Sequence, residues 1–348
     1  MTSLKISTTE EWLAVLPHQV GHHLAQCVAV MTVTSRALGP VARVDLPPEK
    51  YVRQMADGLL DGLLRVKPQA AMLVGYEDVP GESRSMLHAV HHGLQAAGVG
   101  IIDHVVVRDG RWWGWCCRPV DELDGLRPDH VDGHALVDDS CVPAAAAFIA
   151  NGSAPLASRD AVGALVEEDP GLSAGVAEAL SAISGSDPVP ELWGRLLAPV
   201  GERGDAFQVT DQELARMLCS LATKPWRDAL VAWMSPVMFP IEKVDEVSRR
   251  ALDQAVPAGP AGSSDASKIV LRRLLGLARR VPDAFPQEAA AISTLAGCVA
   301  WGVGNGSTAA DAVTRALRVV PEYLLATFLE RMVAYQLRPR HTWPDVAA

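Results

Sequence analysis

The sequence predicts an α/β N-terminal domain followed by an all-α domain, and three observations carry that expectation. Strand-like and helix-like segments alternate through residues 1–120. Asp109-Gly110 separates Val105-Val-Val107 from Trp112 and Trp113, which is the pattern of a tight β-hairpin. Beyond residue 141, helical periodicity continues without a strand-like segment.

In chain order, Thr8-Thr-Glu-Glu11 has the form of a capping box and opens a short helix that should end near Pro17. Cys27–Val33 is rich in β-branched residues and reads as a strand. Val41–Leu46 reads as a second strand, reached through Gly39-Pro40. Pro47-Pro48 ends it and starts a helix over 49–65, with Tyr51, Val52, Met55, Leu59, Leu63 and Val66 at helical spacing. Ala70–Tyr76 is a continuous apolar run, as expected of a central parallel strand. A helix over 83–97 stops at Gly98, and the hairpin follows over 99–117. The order is β-β-α-β-α-β-β, a mixed sheet with helices packed on it. A two-residue turn sets Arg108 opposite Arg111, Val107 opposite Trp112 and Val106 opposite Trp113. Apolar side chains then point to both faces, so the sheet should be covered on both sides.

Residues 121–140 read as a polar connector, 141–338 as the helical domain and 339–348 as a flexible tail. Within the helical domain, Gly297, Ala309, Val313, Ala316 and Pro321 follow the small-residue spacing of a tetratricopeptide-like helix pair. Ala309 and Ala316 should therefore lie where two helices meet closely.

Composition narrows the function classes. Hydrophobic residues make up 49% of the 348, enough for a substantial core. No apolar run approaches the ~20 residues of a membrane span, so no membrane association is expected. The first residues lack the pattern of a signal peptide. The six cysteines include no Cys-x-x-Cys pair and read as reduced thiols of a cytoplasmic protein. A net charge of −10 with only short basic pairs, such as Arg272-Arg273 and Arg279-Arg280, makes nucleic acid an unlikely partner.

Candidate chemistry is sparse. His88 and His92 are i,i+4 on one helix, a spacing that can serve a metal, with Asp103 or His104 as a third ligand. The helical wheel instead turns His88 and His92 to solvent, away from Met86, Leu87, Val90 and Leu94. Asp129-His-Val-Asp-Gly-His134 with Asp138-Asp139 offers carboxylates and imidazoles in one loop, matching no metal motif closely. Gly302-Val-Gly-Asn-Gly-Ser307 lacks the strand and the Gly-Lys ending of a phosphate loop and reads as the junction of two helices. No metal and no cofactor are expected. His23, Arg43, Asp45, Glu77 and Asp78 can line a pocket at the carboxyl ends of the strands. Trp112, Trp113 and Trp115 suit stacking on a ligand, although packing between covered faces accounts for them better.

Several segments together resemble the domain of unknown function 4192 family. They are Glu11-Trp-Leu-Ala-Val-Leu-Pro-His-Gln-Val-Gly-His-His23, Pro40-Val-Ala-Arg-Val-Asp-Leu-Pro-Pro48, Met72-Leu-Val-Gly-Tyr76, Asp109-Gly-Arg-Trp-Trp113, Ala300-Trp-Gly-Val-Gly-Asn-Gly-Ser307 and Arg315-Ala-Leu317. Their order matters more than any one of them. The family usually reads Gly-Phe-His-Pro where this chain has Gly21-His22-His23-Leu24; His23 matches and its neighbours depart. The resemblance implies an intracellular protein of actinobacteria or their phages and implies no activity. Two readings stand. One is a non-enzymatic interaction protein whose helical half docks a protein partner or a second copy of itself. The other is an enzyme or small-ligand binder with its site at the sheet edge.

Overall fold

The computed structural model describes residues 6–34, 37–114, 132–150, 154–201, 204–337 and 339. The chain forms two compact units, Met1–Arg159 and Asp160–Ala348.

In the first unit, helix α1 spans Thr9–Val20. The Thr8 hydroxyl accepts from the Glu11 amide and the Glu11 carboxylate accepts from the Thr8 amide, which completes the capping box. The helix does not stop at Pro17. It passes that residue and ends at Gly21, whose φ of 90° lets its N–H return to the Pro17 carbonyl. Strands β1 (Cys27–Thr34), β2 (Ala37–Asp45), β3 (Ala70–Tyr76), β4 (Gly100–Arg108), β5 (Arg111–Gly114) and β6 (His134–Ala135) build one sheet in the order β2-β1-β3-β4-β5-β6. Only β3 and β4 run parallel; the other pairings are antiparallel. Helices α2 (Val52–Leu64) and α3 (Arg84–Ala96) cover one face, and α1 covers the other.

Two further sequence expectations need correction. β2 starts at Ala37 and includes Gly39-Pro40, because β2 is an edge strand where proline's missing donor costs no ladder bond. The polar connector also supplies β6, which pairs Trp112 with His134 and Arg111 with Ala135. A two-residue strand carries no periodicity, so composition alone reads it as loop. The hairpin register is the expected one, with Asp109 and Gly110 both at positive φ.

Helix α4 (Pro143–Ala150) falls within the first unit; Ala144 and Ala145 pack with Ala14 and Val15 of α1. The helices that follow are α5 (Arg159–Gly163), α6 (Pro170–Ala182), α7 (Pro190–Leu197), α8 (Asp211–Ser220), α9 (Lys224–Met234), α10 (Glu246–Ala255), α11 (Ser264–Ala278), α12 (Pro286–Gly302), α13 (Gly306–Val319) and α14 (Leu324–Ala334). Trp193, Trp226 and Trp233 are buried in the core of the second unit. The small-residue contact forms as expected. A Cβ on Gly297 would come within 2.9 Å of Leu329 and 3.4 Å of Ala312, and Ala309 and Ala316 are both fully buried. Asn305 caps α13 by accepting from the Thr308 amide, so the glycine-rich stretch is a helix junction. No helix among the described residues is long and apolar enough to cross a membrane.

Candidate functional site at the carboxyl ends of the central strands

Strand pairing places one row of side chains across the sheet, over its α1-facing side. The row runs Asp45, Cys27, Tyr76, Val107, Trp112 and His134. Alternation along each strand then puts Arg43 on the same face, two residues from Asp45. The end of α1 meets this row. His18 is buried, its Nε2 lies 3.2 Å from an Asp139 carboxylate oxygen, and its ring stacks on Phe148.

The five residues expected to line a pocket have different surroundings. Arg43 and Asp45 form an ion pair with Asp45 largely exposed. Glu77 is buried and fully used. It accepts from the Gly81 and Ser83 amides, the Ser83 hydroxyl and the Arg108 guanidinium, the last at 2.8 Å. It therefore ties the loop after β3 to the end of β4. Asp78 is exposed, and its amide donates to Glu82. His23 is exposed, and its backbone bonds to Leu156.

Sequence reasoning missed Cys27, Tyr76 and His18, and it read Asp139 only as part of the acidic loop. The register pairs Cys27 with both Asp45 and Tyr76, a coincidence visible only once strands are aligned. Burial pushes the Cys27 thiol up to about 11, against the opposing pull of Arg43. Burial also drives the Tyr76 phenol upward, and the Cys27 and Asp139 charges add to it. Both groups thus hold their protons at neutral pH. A protonated thiol is a weak nucleophile, so the row is a polar seam between sheet and helix more than a reactive centre.

The remaining candidates resolve similarly. Asp138 caps a short 3-10 turn by accepting from the Ser140 amide, Asp139 takes His18, and His134 stacks on Trp112 at 4.4 Å. Asp129, His130, Trp115, Cys116 and Cys117 lie outside the described residues. Trp112 and Trp113 are 7% and 8% exposed, which leaves neither face free for a ligand to stack on. Among the described residues, no group of three or more His, Cys, Asp or Glu side chains is placed to hold a metal.

The histidines of α3 depart from the wheel. His92 is exposed, but His88 is half-buried and His91 is buried. His91 Nδ1 meets His104 Nε2 of β4 at 2.7 Å, beneath the helix. The reason is that α3 lies on the same face of the sheet as the even-numbered side chains of β4, where Val106 joins its core. One ring must donate and the other accept, so the pair is stable only when at least one ring is neutral. Burial, then the neighbouring His91 and His88, lower His104 to about 4. Burial also lowers His91, with His92 and His88 adding to it and a Gln95 hydrogen bond opposing.

These depressed values make stability depend on pH in one direction. Above the ordinary histidine value of 6.5, both folded and unfolded chains are neutral here and the full stability is present. As pH falls from 6.5 towards about 4, the unfolded chain takes up protons that the fold refuses, and stability is lost. The limiting slope is about 1.4 kcal/mol per pH unit for each such histidine. Urea denaturation at a series of pH values across that window should show this decline, and His104→Gln should flatten it. An unchanged slope in the variant would refute the assignment.

The family model described as domain of unknown function (DUF4192) matches residues 10–340. No curated protein and no solved structure matches the chain. The chain belongs to the DUF4192 family.

Proposed function

We propose that this family member is a docking protein without chemistry of its own, whose helical unit receives an amphipathic helix of a protein partner. The observation that carries the reading is the outer face of α14. Leu324 and Phe328, one turn apart, are 63% and 51% exposed, and Tyr335 and Leu337 are exposed past the helix end. The opposite face packs inward through Ala326 and Leu329. An apolar exposed face on a helix is what a further helix would pack against. The protonated Cys27 and Tyr76 and the fully engaged Glu77 support the same reading against a sheet-edge enzyme. The protein then belongs in the cytoplasm of an actinobacterium or its phage-infected host, where thiols such as Cys27 and Cys298 stay reduced.

The test uses the full chain as bait in its native host, beside a Phe328→Glu variant and an Arg53→Glu control on exposed α2 surface. Each captured protein is then purified and titrated against all three. A partner whose affinity falls about a hundredfold with Phe328→Glu and stays unchanged with Arg53→Glu supports the proposal. Equal binding to the wild type and Phe328→Glu rejects it. Concentration-dependent self-association lost in Phe328→Glu would reassign the face to a second copy of this chain.

A further inference from the structure

The second unit contains a cleft of about 460 Å³ between α11 and the segment Asp205–Val209. Its chemistry is unlike the rest of this acidic chain. Arg272, Arg273 and Arg280 line it, against one lining carboxylate, Asp205. Arg272, Gly276 and Arg280 follow one another at intervals of four, so they share one side of α11 and its extension. Gly276 is the gap between the two arginines. A Cβ built there would meet nothing within 4 Å, so the floor of the cleft is open. Phe207, Val209 and Leu277 supply apolar wall.

The three arginines have different duties. Arg273 is buried and fully engaged. Its guanidinium donates to both Asp205 carboxylate oxygens and to the Leu196 and Ala198 carbonyls, and it lies 5.5 Å from the Phe207 ring centre. It therefore holds Phe207 and Asp205 in place and cancels the one lining carboxylate. Arg280 donates to the Val209 carbonyl and to Asp211 at 2.7 Å, using only part of its donor fork. Arg272 is exposed and makes no hydrogen bond or ion pair among the described residues. Arg272 thus stands about two helical turns from a partly free guanidinium, along an open groove of the volume small ligands occupy. In a chain of net charge −10, three arginines against one described lining carboxylate make the cleft locally basic.

We propose that this cleft binds a small organic anion, its carboxylate or phosphate held by Arg272 and its flat apolar body lying over Gly276 against Phe207, towards Arg280. The guanidinium fork suits either head group, and the aromatic wall suits a planar body. This site is separate from the α14 face, and either assignment can fail without the other.

The test is calorimetric titration of the full chain with 2-naphthoate, with its neutral counterpart 2-naphthamide and with inorganic phosphate. The naphthoate is expected to bind saturably, at least about tenfold tighter than the other two. Arg272→Glu should weaken it by about tenfold or more. Gly276→Leu should abolish binding by filling the floor. Neither variant should lower the melting temperature, since Arg272 is exposed and a side chain at 276 starts in open space. Failure of naphthoate to saturate at millimolar concentration overturns the proposal. Equal binding of the naphthamide removes the anion requirement and overturns it as well. Undiminished binding to a folded Gly276→Leu variant puts the ligand elsewhere and overturns it too.

Discussion

Arg315→Ala is expected to destabilise the helical unit by about 3–5 kcal/mol, because interior carbonyls lose a charged donor at about 1–3 kcal/mol each and the side-chain volume is lost. Arg315 has no exposed surface. From α13 its guanidinium donates to the Val166, Ala278 and Val281 carbonyls and, through two nitrogens, to Asp283. It joins two separate stretches of chain, at 166 and at 278–281, by their backbone oxygens. Truncation leaves the Val166 and Val281 carbonyls without the Arg315 donor in a closed interior, while Ala278 keeps the Val281 amide, and it strips Asp283 of its inner partner. Burial raises the Asp283 carboxyl, but the Arg315 and Arg318 hydrogen bonds outweigh it and hold the group below the usual carboxylate range. Lysine should not rescue, because a single ammonium cannot reproduce a planar fork that reaches several acceptors. Arg318→Ala is the internal comparison. Arg318 also bonds Asp283, and Glu167 besides, but it is half-exposed, and exposed pairs are worth about 0–1 kcal/mol. Urea midpoints of the three variants test the ranking. Equal losses for Arg315→Ala and Arg318→Ala would show that burial is not what gives Arg315 its weight.

Arg315 also marks the limit of what can be read from the chain. Its helix is legible from periodicity, and Arg315-Ala-Leu317 contributes to the family resemblance. Its role is not legible, because its acceptors come from residues up to 149 positions away. The hairpin is the opposite case. Asp109-Gly110 is local, a two-residue turn dictates register, and the register places Trp112 and Trp113 correctly. The strand at His134–Ala135 is invisible in the sequence because it exists only by pairing with β5. Glu77 stands out for its position after a parallel strand, yet burial against Ser83 and Arg108 makes it a loop anchor. Arg272, Gly276 and Arg280 are visible as charges, while the meaning of the glycine between them needs the facing segment. Local pattern thus reaches elements and turns, and distant pairing decides what the polar groups do.

The second large effect belongs to the hairpin. Trp112→Ala or Trp113→Ala should each cost about 3–5 kcal/mol, as for other large buried aromatics. The two rings serve different contacts. Trp112 joins the α1-side core with Val105 and Val107 and stacks on His134. Trp113 lies against the Arg108 guanidinium, 4.7 Å from it, and against the backbone of Gly133. At Gly133 φ is +64°, and a Cβ there would stand 2.5 Å from the indole. Gly133→Ala should therefore destabilise by about 1–3 kcal/mol through overpacking and the unfavourable backbone angle. The two sites are coupled in a way that can be measured. Once Trp113 is alanine, the space at 133 is open and only the backbone penalty remains. The double variant should then lose less than the sum of the single variants. Urea denaturation followed by circular dichroism gives the four stabilities. Hydrogen exchange at the β4 and β5 amides reports whether the loss is local to the hairpin. Strict additivity would mean that Gly133 is required for its backbone angle alone and that the ring does not press on it.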